Sequence, residues 1–395
     1  MCYESGFFRM IQNTFSISKL IYNALICSML NVLKNLKKML FLQLLRLLRC
    51  FKNMKEREEE NIISLYPEEQ KQLDKEWHKS IPAQVFLNYF FAINYHLNHY
   101  EGMGLHQLAY FREVPDELGE QDVEAVKRLL LNSWSTEYAL RATAELGDDS
   151  YIRNALHWTF PQAYYAVFAS LQAFLHTRQV KTNSEALVMR EAGRLVVKNA
   201  YPQAMSFYAS GHYDDFNVNR LPLAHYKPGL QIANKELEAQ AQIGQFLRTT
   251  RRMKAKAVRQ QVQANPATAI RSSRNGEILQ KFGPQHWQQL TWRIGYTTLF
   301  DLLARLRISN SHREIERFVQ ADIDFKLFHQ SLLEIVSYLN GIHECYVAQA
   351  MGLQRYDEFV EQLPAYLQGS FVEARLQDKV KPLLHDGDNR MRTAA

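Results

Sequence analysis

Residues 151–177 read YIRNALHWTFPQAYYAVFASLQAFLHT, and this stretch decides the fold class of the chain. Its apolar side chains recur every three or four residues, which is the period of an α-helix. The residues on that face are Leu156, Phe160, Ala163, Tyr164, Val167, Leu171, Phe174 and Leu175. The spacing predicts a long core helix. Pro161 predicts a kink or a short break before Gln162, because proline lacks the amide hydrogen that a helix interior needs.

Helical periodicity also runs through the sequence on both sides of this stretch. It covers 81–100 and 122–146, and Gly147 supplies a C-terminal stop for the second of these helices. It resumes over 186–208, where Pro202 interrupts the pattern. We therefore expect several helices that pack against the one at 151–177.

Two helical patterns occupy the C-terminal part of the chain. The first covers 299–319 with a break in the middle, where Ser311 and Glu314 have the spacing of a capping box. The second runs from Phe325 to about Met351 and ends before a glycine. No alternation of apolar and polar residues is long enough to predict a sheet, so the predicted fold class is all-α, with one or more multi-helix bundles.

The composition fits a globular helical protein. Of 395 residues, 47% are apolar and 22% are charged, which excludes a disordered or collagen-like chain and suffices for two or three domains. The cysteines form no paired framework and no C-x-x-C spacing, which predicts reduced thiols and a cytoplasmic location. They are Cys2, Cys27, Cys50 and Cys345.

The first 53 residues differ from the rest of the chain. They hold eight Lys or Arg against one acid, Glu4, a balance of 8 − 1 = +7, so the remainder nets 6 − 7 = −1. The longest uncharged run, 20–33, has 14 residues and is shorter than the ~20 that span a bilayer. Two interpretations stay open: a cationic amphipathic helix on a membrane surface, or translation that starts at Met54. Membrane contact is expected only through this segment.

One basic concentration stands out in the body of the chain. No acidic residue occurs between Glu238 and Glu277, whereas eight Lys or Arg do. We predict a nucleic-acid-binding surface here, because clustered cations attract phosphate without reading bases. The residues assigned to it are Arg248, Arg251, Arg252, Lys254, Lys256 and Arg259. The alternative is an ordinary solvated helix face followed by a hinge at Asn265 and Pro266.

Several familiar catalytic patterns are absent from the sequence. It contains no P-loop, no dinucleotide-binding glycine pattern, no G-x-S-x-G and no H-E-x-x-H, which argues against four large enzyme classes. The pair His96 and His99, and the cluster 343–345, lack the further ligands that a zinc site needs. We expect neither a metal nor a cofactor.

Two segments carry a family resemblance. PQAYYAVFASLQAFL, at 161–175, resembles the central helix of the HEPN superfamily, in which Tyr-Tyr-Ala-x-Phe is followed by small and apolar residues. LLARLRISNSHREIERF, at 302–318, resembles a segment of HEPN-like bacterial proteins that reads Leu-Arg-x-Arg-x-Asn-Tyr-x-Asp. This chain departs from it with Ser311-His312 after Asn310. The resemblance covers about 150–360 and implies a HEPN-like helical core.

Active members of this superfamily carry an Arg and a His separated by four to six residues, and the resemblance therefore implies catalytic roles for Arg305, Arg307 and His312. A guanidinium stabilises the charge on the phosphate, while an imidazole moves a proton during attack by the 2′-hydroxyl. Such spacings occur about as often as chance allows, and Arg220 with His225 also matches, in a Pro-containing loop. Arg305 and Arg307 could equally be cations at an ordinary helix C-terminus.

The function that the resemblance implies is RNA binding, with metal-independent endoribonuclease activity in a toxin–antitoxin or phage-defence system, and with a homodimer as the working form. The alternative is a non-catalytic helical module that binds a partner protein or a nucleic acid through the basic run. The predicted regions are 1–53 (basic extension), 54–150 (N-terminal helices), 151–237 (HEPN-like helices), 238–285 (basic helix and hinge), 286–368 (C-terminal helices) and 369–395 (tail).

Overall fold

A computed structural model describes most of the chain after residue 66. The described residues are 67–100, 104–113, 118–213, 215–222, 224–273, 275–308 and 312–385. The predictions for 1–53 and for the cap at Ser311 therefore lie outside the described residues. The larger compact unit is Glu76–Ala395, and the architecture given below is that of this unit.

The protein is an all-α, multi-helix protein, as the periodicity predicted. Its α-helices are α1 (Pro67–His99), α2 (Ala109–Arg112), α3 (Glu120–Leu146), α4 (Asp149–Asn154), α5 (Leu156–Thr177), α6 (Glu185–Val197), α7 (Glu236–Ala264), α8 (Pro284–Ile294), α9 (Leu299–Ile308), α10 (His312–Val319), α11 (Phe325–Met351), α12 (Leu353–Glu361) and α13 (Phe371–Arg375). Two short strands are β1 (Tyr208–Gly211) and β2 (Phe216–Asn219). No helix among the described residues has the length and apolar content needed to cross a bilayer.

Helix α5 is central, and its predicted apolar face is buried. It packs against α3 and α11, and the Ser133 hydroxyl of α3 donates to the carbonyl of Ala166 over 2.7 Å. The break lies at Ala155, between α4 and α5, and not at Pro161, which the helix includes. Pro161 is the sixth residue of this helix, and the hydrogen bond that it cannot make is the one to the carbonyl of His157.

Helix α11 confirms the strongest C-terminal prediction. The Asp324 carboxylate caps its start by accepting from the backbone N–H of Leu327 over 2.9 Å. Gly352 ends it with a φ of 84°, a left-handed conformation that a side chain would disfavour. Twenty of the 27 residues of this helix are buried, so it forms the second central element of the core.

A β-hairpin begins at Tyr208, where the helical pattern predicted over 186–208 ends. Strands β1 and β2 pair antiparallel, with Tyr208 opposite Asn219. Strands of four residues are too short to produce a recognisable alternation, which is why the pattern missed them. Gly211 is required in this hairpin, because its φ is 107° and a Cβ there would lie 2.6 Å from the carbonyl oxygen of Asp215.

One hydrophobic core runs from Ala83 to Val380. It takes residues from all four predicted regions between 54 and 368, so these regions are stretches of sequence within one packed unit. The prediction of a tail at 369–395 is wrong for its first part, because Val372, Leu376 and Val380 are buried in this core. These three residues are four apart and line one helical face, a pattern too short to stand out in the sequence.

Candidate nucleic-acid interface

The basic run forms the second half of α7. Arg248, Arg252, Lys256 and Arg259 follow one another at intervals of four, four and three residues, which places them on one face of the helix. Arg248, Arg252 and Lys256 are exposed, and Arg259 is half-buried. We call these four residues the basic stripe. They span about 16 Å along the helix axis at 1.5 Å per residue.

A second, smaller hydrophobic cluster holds this part of α7 in place. It consists of Ala255, Val262, Trp287, Leu290 and Ile294, so it joins α7 to α8. Aromatic rings lie beside the stripe as well: the Arg252 guanidinium is 6.0 Å from the ring centre of Phe216, and that of Arg259 is 5.4 Å from that of Phe282. The stripe is therefore carried on a packed support.

The net charge of this region is strongly positive. Between residues 248 and 294 the sequence has ten Lys or Arg and one acid, Glu277, a balance of 10 − 1 = +9. The rest of the chain after residue 53 is correspondingly acidic. An anion that approaches this part of the described surface is therefore attracted by the exposed cations of the stripe.

Arg251 does not belong to this surface, and its predicted role in nucleic-acid binding is corrected here. Its side chain is fully buried, and its guanidinium donates to the carbonyls of Ala209, Gly211 and Gly295. It also donates to the hydroxyl of Thr297 over 2.9 Å. Burial lowers the pKa of Arg251 to about 10, so the group remains charged at neutral pH while it joins β1 to the start of α9.

Lys254 also faces the protein. Its ammonium group donates to the carboxylate of Asp301 over 2.7 Å and to the carbonyl of Tyr296 over 2.8 Å. Asp301 is buried and accepts a further hydrogen bond from the backbone N–H of Thr298. The charge of Lys254 is thus paired with that of Asp301, and the stripe comprises four of the six predicted residues.

Arg305, the first of the predicted catalytic residues, extends from α9 toward α7. Its guanidinium donates to the hydroxyls of Thr249 and Thr250, and it lies 5.0 Å and 4.8 Å from the ring centres of Phe86 and Phe246. The side chain is half-buried. Arg305 therefore joins three helices, which is a structural task.

Arg307 points to different neighbours. Its guanidinium donates to the carboxylate of Glu185 on α6 over 2.7 Å and lies 5.5 Å from the ring centre of Tyr164. The Tyr164 hydroxyl donates to the same carboxylate over 2.8 Å. The side chains of Arg307 and Glu185 are 35% and 43% exposed, so this pair can be reached from solvent. The structure does not bring Arg305 and Arg307 together.

His312 is the first residue of α10, four residues after the end of α9. Its side chain lies outside the described residues. A cavity of about 750 Å³ borders α10 and is lined by His157, Trp158, Ile315 and Glu316, among others, with no Lys or Arg among its described lining residues. These described lining residues supply no positive charge for a phosphate group.

Arg220 and His225, the second pair with the catalytic spacing, have separate surroundings. Arg220 has a left-handed backbone, φ 58°, and its guanidinium donates to the carbonyls of Val196 and Val197. It thus satisfies carbonyl groups at the C-terminus of α6. His225 is exposed and lines another cavity, beside the start of α7.

The histidines considered as metal ligands have ordinary partners. His96 pairs with Glu236 over 2.5 Å. His343 is fully buried between the hydroxyls of Ser170 and Tyr201, at 2.8 Å and 3.0 Å from its ring nitrogens. Within the part of the chain that the structure describes, no group of three or more His, Cys, Asp or Glu is arranged to hold a metal ion.

The chain was compared with family models, curated proteins and solved structures. No family model, no curated protein and no solved structure matches this chain.

Proposed function

We propose that this protein is a HEPN-like RNA-binding protein and that RNA binds along the basic stripe. One observation carries the proposal: four cations lie on a single, largely exposed face of α7, in a segment without acidic residues from 239 to 276. The hydrophobic cluster between α7 and α8 supports this half of the helix. An RNA phosphate backbone has the repeating negative charge that such a stripe attracts.

The test is the salt dependence of RNA binding. Replacing Arg248, Arg252, Lys256 and Arg259 together by glutamine removes four charges from the stripe. A plot of log affinity against log salt concentration has a slope of about −0.7 for each phosphate contact on a single strand. The loss of four contacts should therefore make this slope less negative by up to about 2.8. Fluorescence anisotropy with a labelled single-stranded RNA measures it.

A matched control removes the same charge elsewhere. Arg128, Arg190, Lys198 and Lys326 are exposed cations on other parts of the described surface. Their joint replacement by glutamine should change the slope by no more than about 0.7, the value of one phosphate contact. If both quadruple variants flatten the slope equally, general charge and not the stripe accounts for binding, and the proposed site is rejected.

The second candidate is a metal-independent endoribonuclease, acting as a homodimer in a toxin or phage-defence system, as the family resemblance implies. The observation that favours it is the solvent-reachable guanidinium of Arg307 near the end of α9, five residues before His312. A guanidinium in that position can contact a phosphate group if RNA replaces Glu185 as its partner. RNA binding without any cleavage would instead favour the non-catalytic module.

A further inference from the structure

A cavity lies at the end of the basic stripe. Its volume is about 500 Å³, within the range of pockets that hold small organic ligands. One wall is α7, and the opposite wall is the chain around Pro222. The lining residues on α7 are Gln240, Ala241, Gly244, Gln245 and Arg248.

The cavity and the stripe share one side of α7. Ala241, Gly244 and Arg248 are three and four residues apart, and Arg252 continues the same spacing. Arg248 belongs to both features, because it lines the cavity and begins the stripe. A strand that follows the stripe toward the N-terminus of α7 therefore reaches the cavity.

Gly244 lines this cavity without a side chain of its own. Glycine inside a helix costs roughly 1 kcal/mol relative to alanine, and Gly244 lies in the middle of a 29-residue helix. Packing does not demand it, because a Cβ there would meet only a Leu221 methyl group at 3.7 Å, an ordinary contact. What the glycine provides is room next to the helix backbone.

The polar groups around the cavity suit a ligand with hydrogen-bonding edges. Gln240 is only 5% exposed, and its Nε2 donates to Glu236 over 2.6 Å. Its Oε1 is buried and has no partner among the described residues. A buried acceptor without a partner is costly, and Gln240 is one of the residues that line the cavity. Gln245, His225 and Tyr226 also line the cavity.

We propose that this cavity binds one unpaired nucleobase of an RNA strand whose phosphates lie along the basic stripe. The inference rests on the proposed RNA binding and specifies its substrate class as single-stranded RNA. A base has a flat surface for Tyr226 and edge donors and acceptors for the two glutamines, while Arg248 at the rim contacts the adjoining phosphate. A base inside a duplex is stacked and paired, so it cannot enter.

The experiment compares three RNAs of equal length and charge per strand: an ordinary single strand, the same strand with all bases removed (abasic), and the duplex form. Wild-type protein should bind the ordinary strand more tightly than the abasic strand, on the order of tenfold, because a stacked base contributes that much. It should also prefer the single strand to the duplex. The salt slope should be the same for the ordinary and abasic strands, since both present the same phosphates.

Two variants of Gly244 make the test specific. Gly244→Leu fills the cavity and should equalise the affinities for the ordinary and abasic strands without changing the salt slope. Gly244→Ala is the matched control, because its Cβ fits: the base preference should remain, and the melting temperature should rise. If Gly244→Leu does not fold, Gln240→Met replaces it, since it removes the unpartnered acceptor while keeping the side-chain volume.

The outcomes separate the two proposals. Equal affinity of the wild type for ordinary and abasic strands, or tighter binding of the duplex, overturns the base-binding cavity and leaves the stripe standing. Unchanged base preference in Gly244→Leu overturns it as well. Absence of salt-dependent binding to any of the three RNAs overturns the proposed function itself and the cavity with it.

Discussion

The guanidinium of Arg375 donates to the carboxylate of Glu137 over 2.6 Å, and the two residues are 238 positions apart in the sequence. The same guanidinium donates to the carboxylate of Glu344, and all three side chains are buried. Burial by itself raises the pKa of Glu137, but the charges of Arg375 and Arg141 outweigh it and hold that pKa below its usual value. The C-terminal segment is thereby joined to α3 and α11.

Removal of this arginine should be among the most destabilising single changes in the protein. Arg375→Ala leaves the buried carboxylate of Glu344 without its cation and that of Glu137 with Arg141 alone. Breaking a buried ion pair in this way typically costs about 3–5 kcal/mol. We expect a large fall in the free energy of unfolding, measured by urea denaturation at neutral pH.

The control for this change is Arg194→Ala. Arg194 pairs with Glu191 over 2.8 Å, but its side chain is 54% exposed. Surface pairs of this kind contribute at most about 1 kcal/mol. Equal effects of Arg375→Ala and Arg194→Ala would show that the C-terminal segment is not held by the buried group.

His329 should make the protein sensitive to acid. Its side chain is 1% exposed, and neither ring nitrogen has a hydrogen-bond partner among the described residues. Burial lowers its pKa from 6.5 to about 4. Between pH 6.5 and pH 4 the unfolded chain binds a proton at this histidine and the folded protein does not. The contribution of His329 to the free energy of unfolding is therefore fully present above pH 6.5 and is lost as the pH decreases to 4. The loss amounts to about 3 kcal/mol at 1.36 kcal/mol per pKa unit.

The variant His329→Leu should remove this contribution. The free energy of unfolding should then decline less between pH 6.5 and 4, while part of the decline remains because burial also lowers the pKa of His343, to about 3. His99→Leu, at an exposed histidine, is the control. Identical pH profiles for wild type and His329→Leu would contradict the buried, uncharged state of His329.

The helical core could be predicted because its signals are long. Helices α5 and α11 have 22 and 27 residues, so their apolar faces repeat over several turns before any tertiary contact is needed. The hairpin and α13 could not be predicted, because the two strands have four residues each and α13 has five. The hairpin depends on contacts from distant segments, such as the pairing of Ala209 with Thr297.

The basic surface could be predicted as a segment but not residue by residue. The helix period groups Arg248, Arg252 and Lys256 on one face, and it places Arg251 on another. Which face is buried depends on β1 and α8, and the partners of Arg251 lie 40 to 46 residues away in the sequence. Arginine side chains are rarely buried in proteins, so the residue type also favoured an exposed Arg251, which is wrong.

The neighbours Arg251 and Arg252 should respond oppositely to the same substitution. Arg251→Met removes the donor to the carbonyl of Gly295, at about 1–3 kcal/mol for an unsatisfied group, whereas the carbonyl of Ala209 keeps the backbone N–H of Thr297. The substitution should lower the urea midpoint. Arg252→Met should change stability by less than about 0.5 kcal/mol but flatten the salt slope of RNA binding by about 0.7. A flattened slope with unchanged stability in Arg251→Met would refute its burial.

The ribonuclease candidate makes the last prediction. In metal-independent cleavage the 2′-hydroxyl loses a proton and attacks the adjacent phosphorus, and the bond to the 5′-oxygen breaks as that oxygen gains a proton. If His312 moves these protons while Arg307 holds the phosphate, the products carry a 2′,3′-cyclic phosphate and a 5′-hydroxyl. Cleavage of total RNA by the purified protein should therefore persist in EDTA.

His312→Ala and Arg307→Ala should each lose much of that rate, because general acid–base catalysis typically contributes about 10²–10⁴-fold. His99→Ala and Arg190→Ala, at an exposed histidine and an exposed arginine elsewhere, should retain it. Melting temperatures recorded in parallel separate a catalytic loss from unfolding, since Arg307 and Glu185 form a partly exposed pair of small energetic value. Loss of cleavage in EDTA, or equal rates in His312→Ala and wild type, would reject this mechanism and leave RNA binding along the basic stripe as the function.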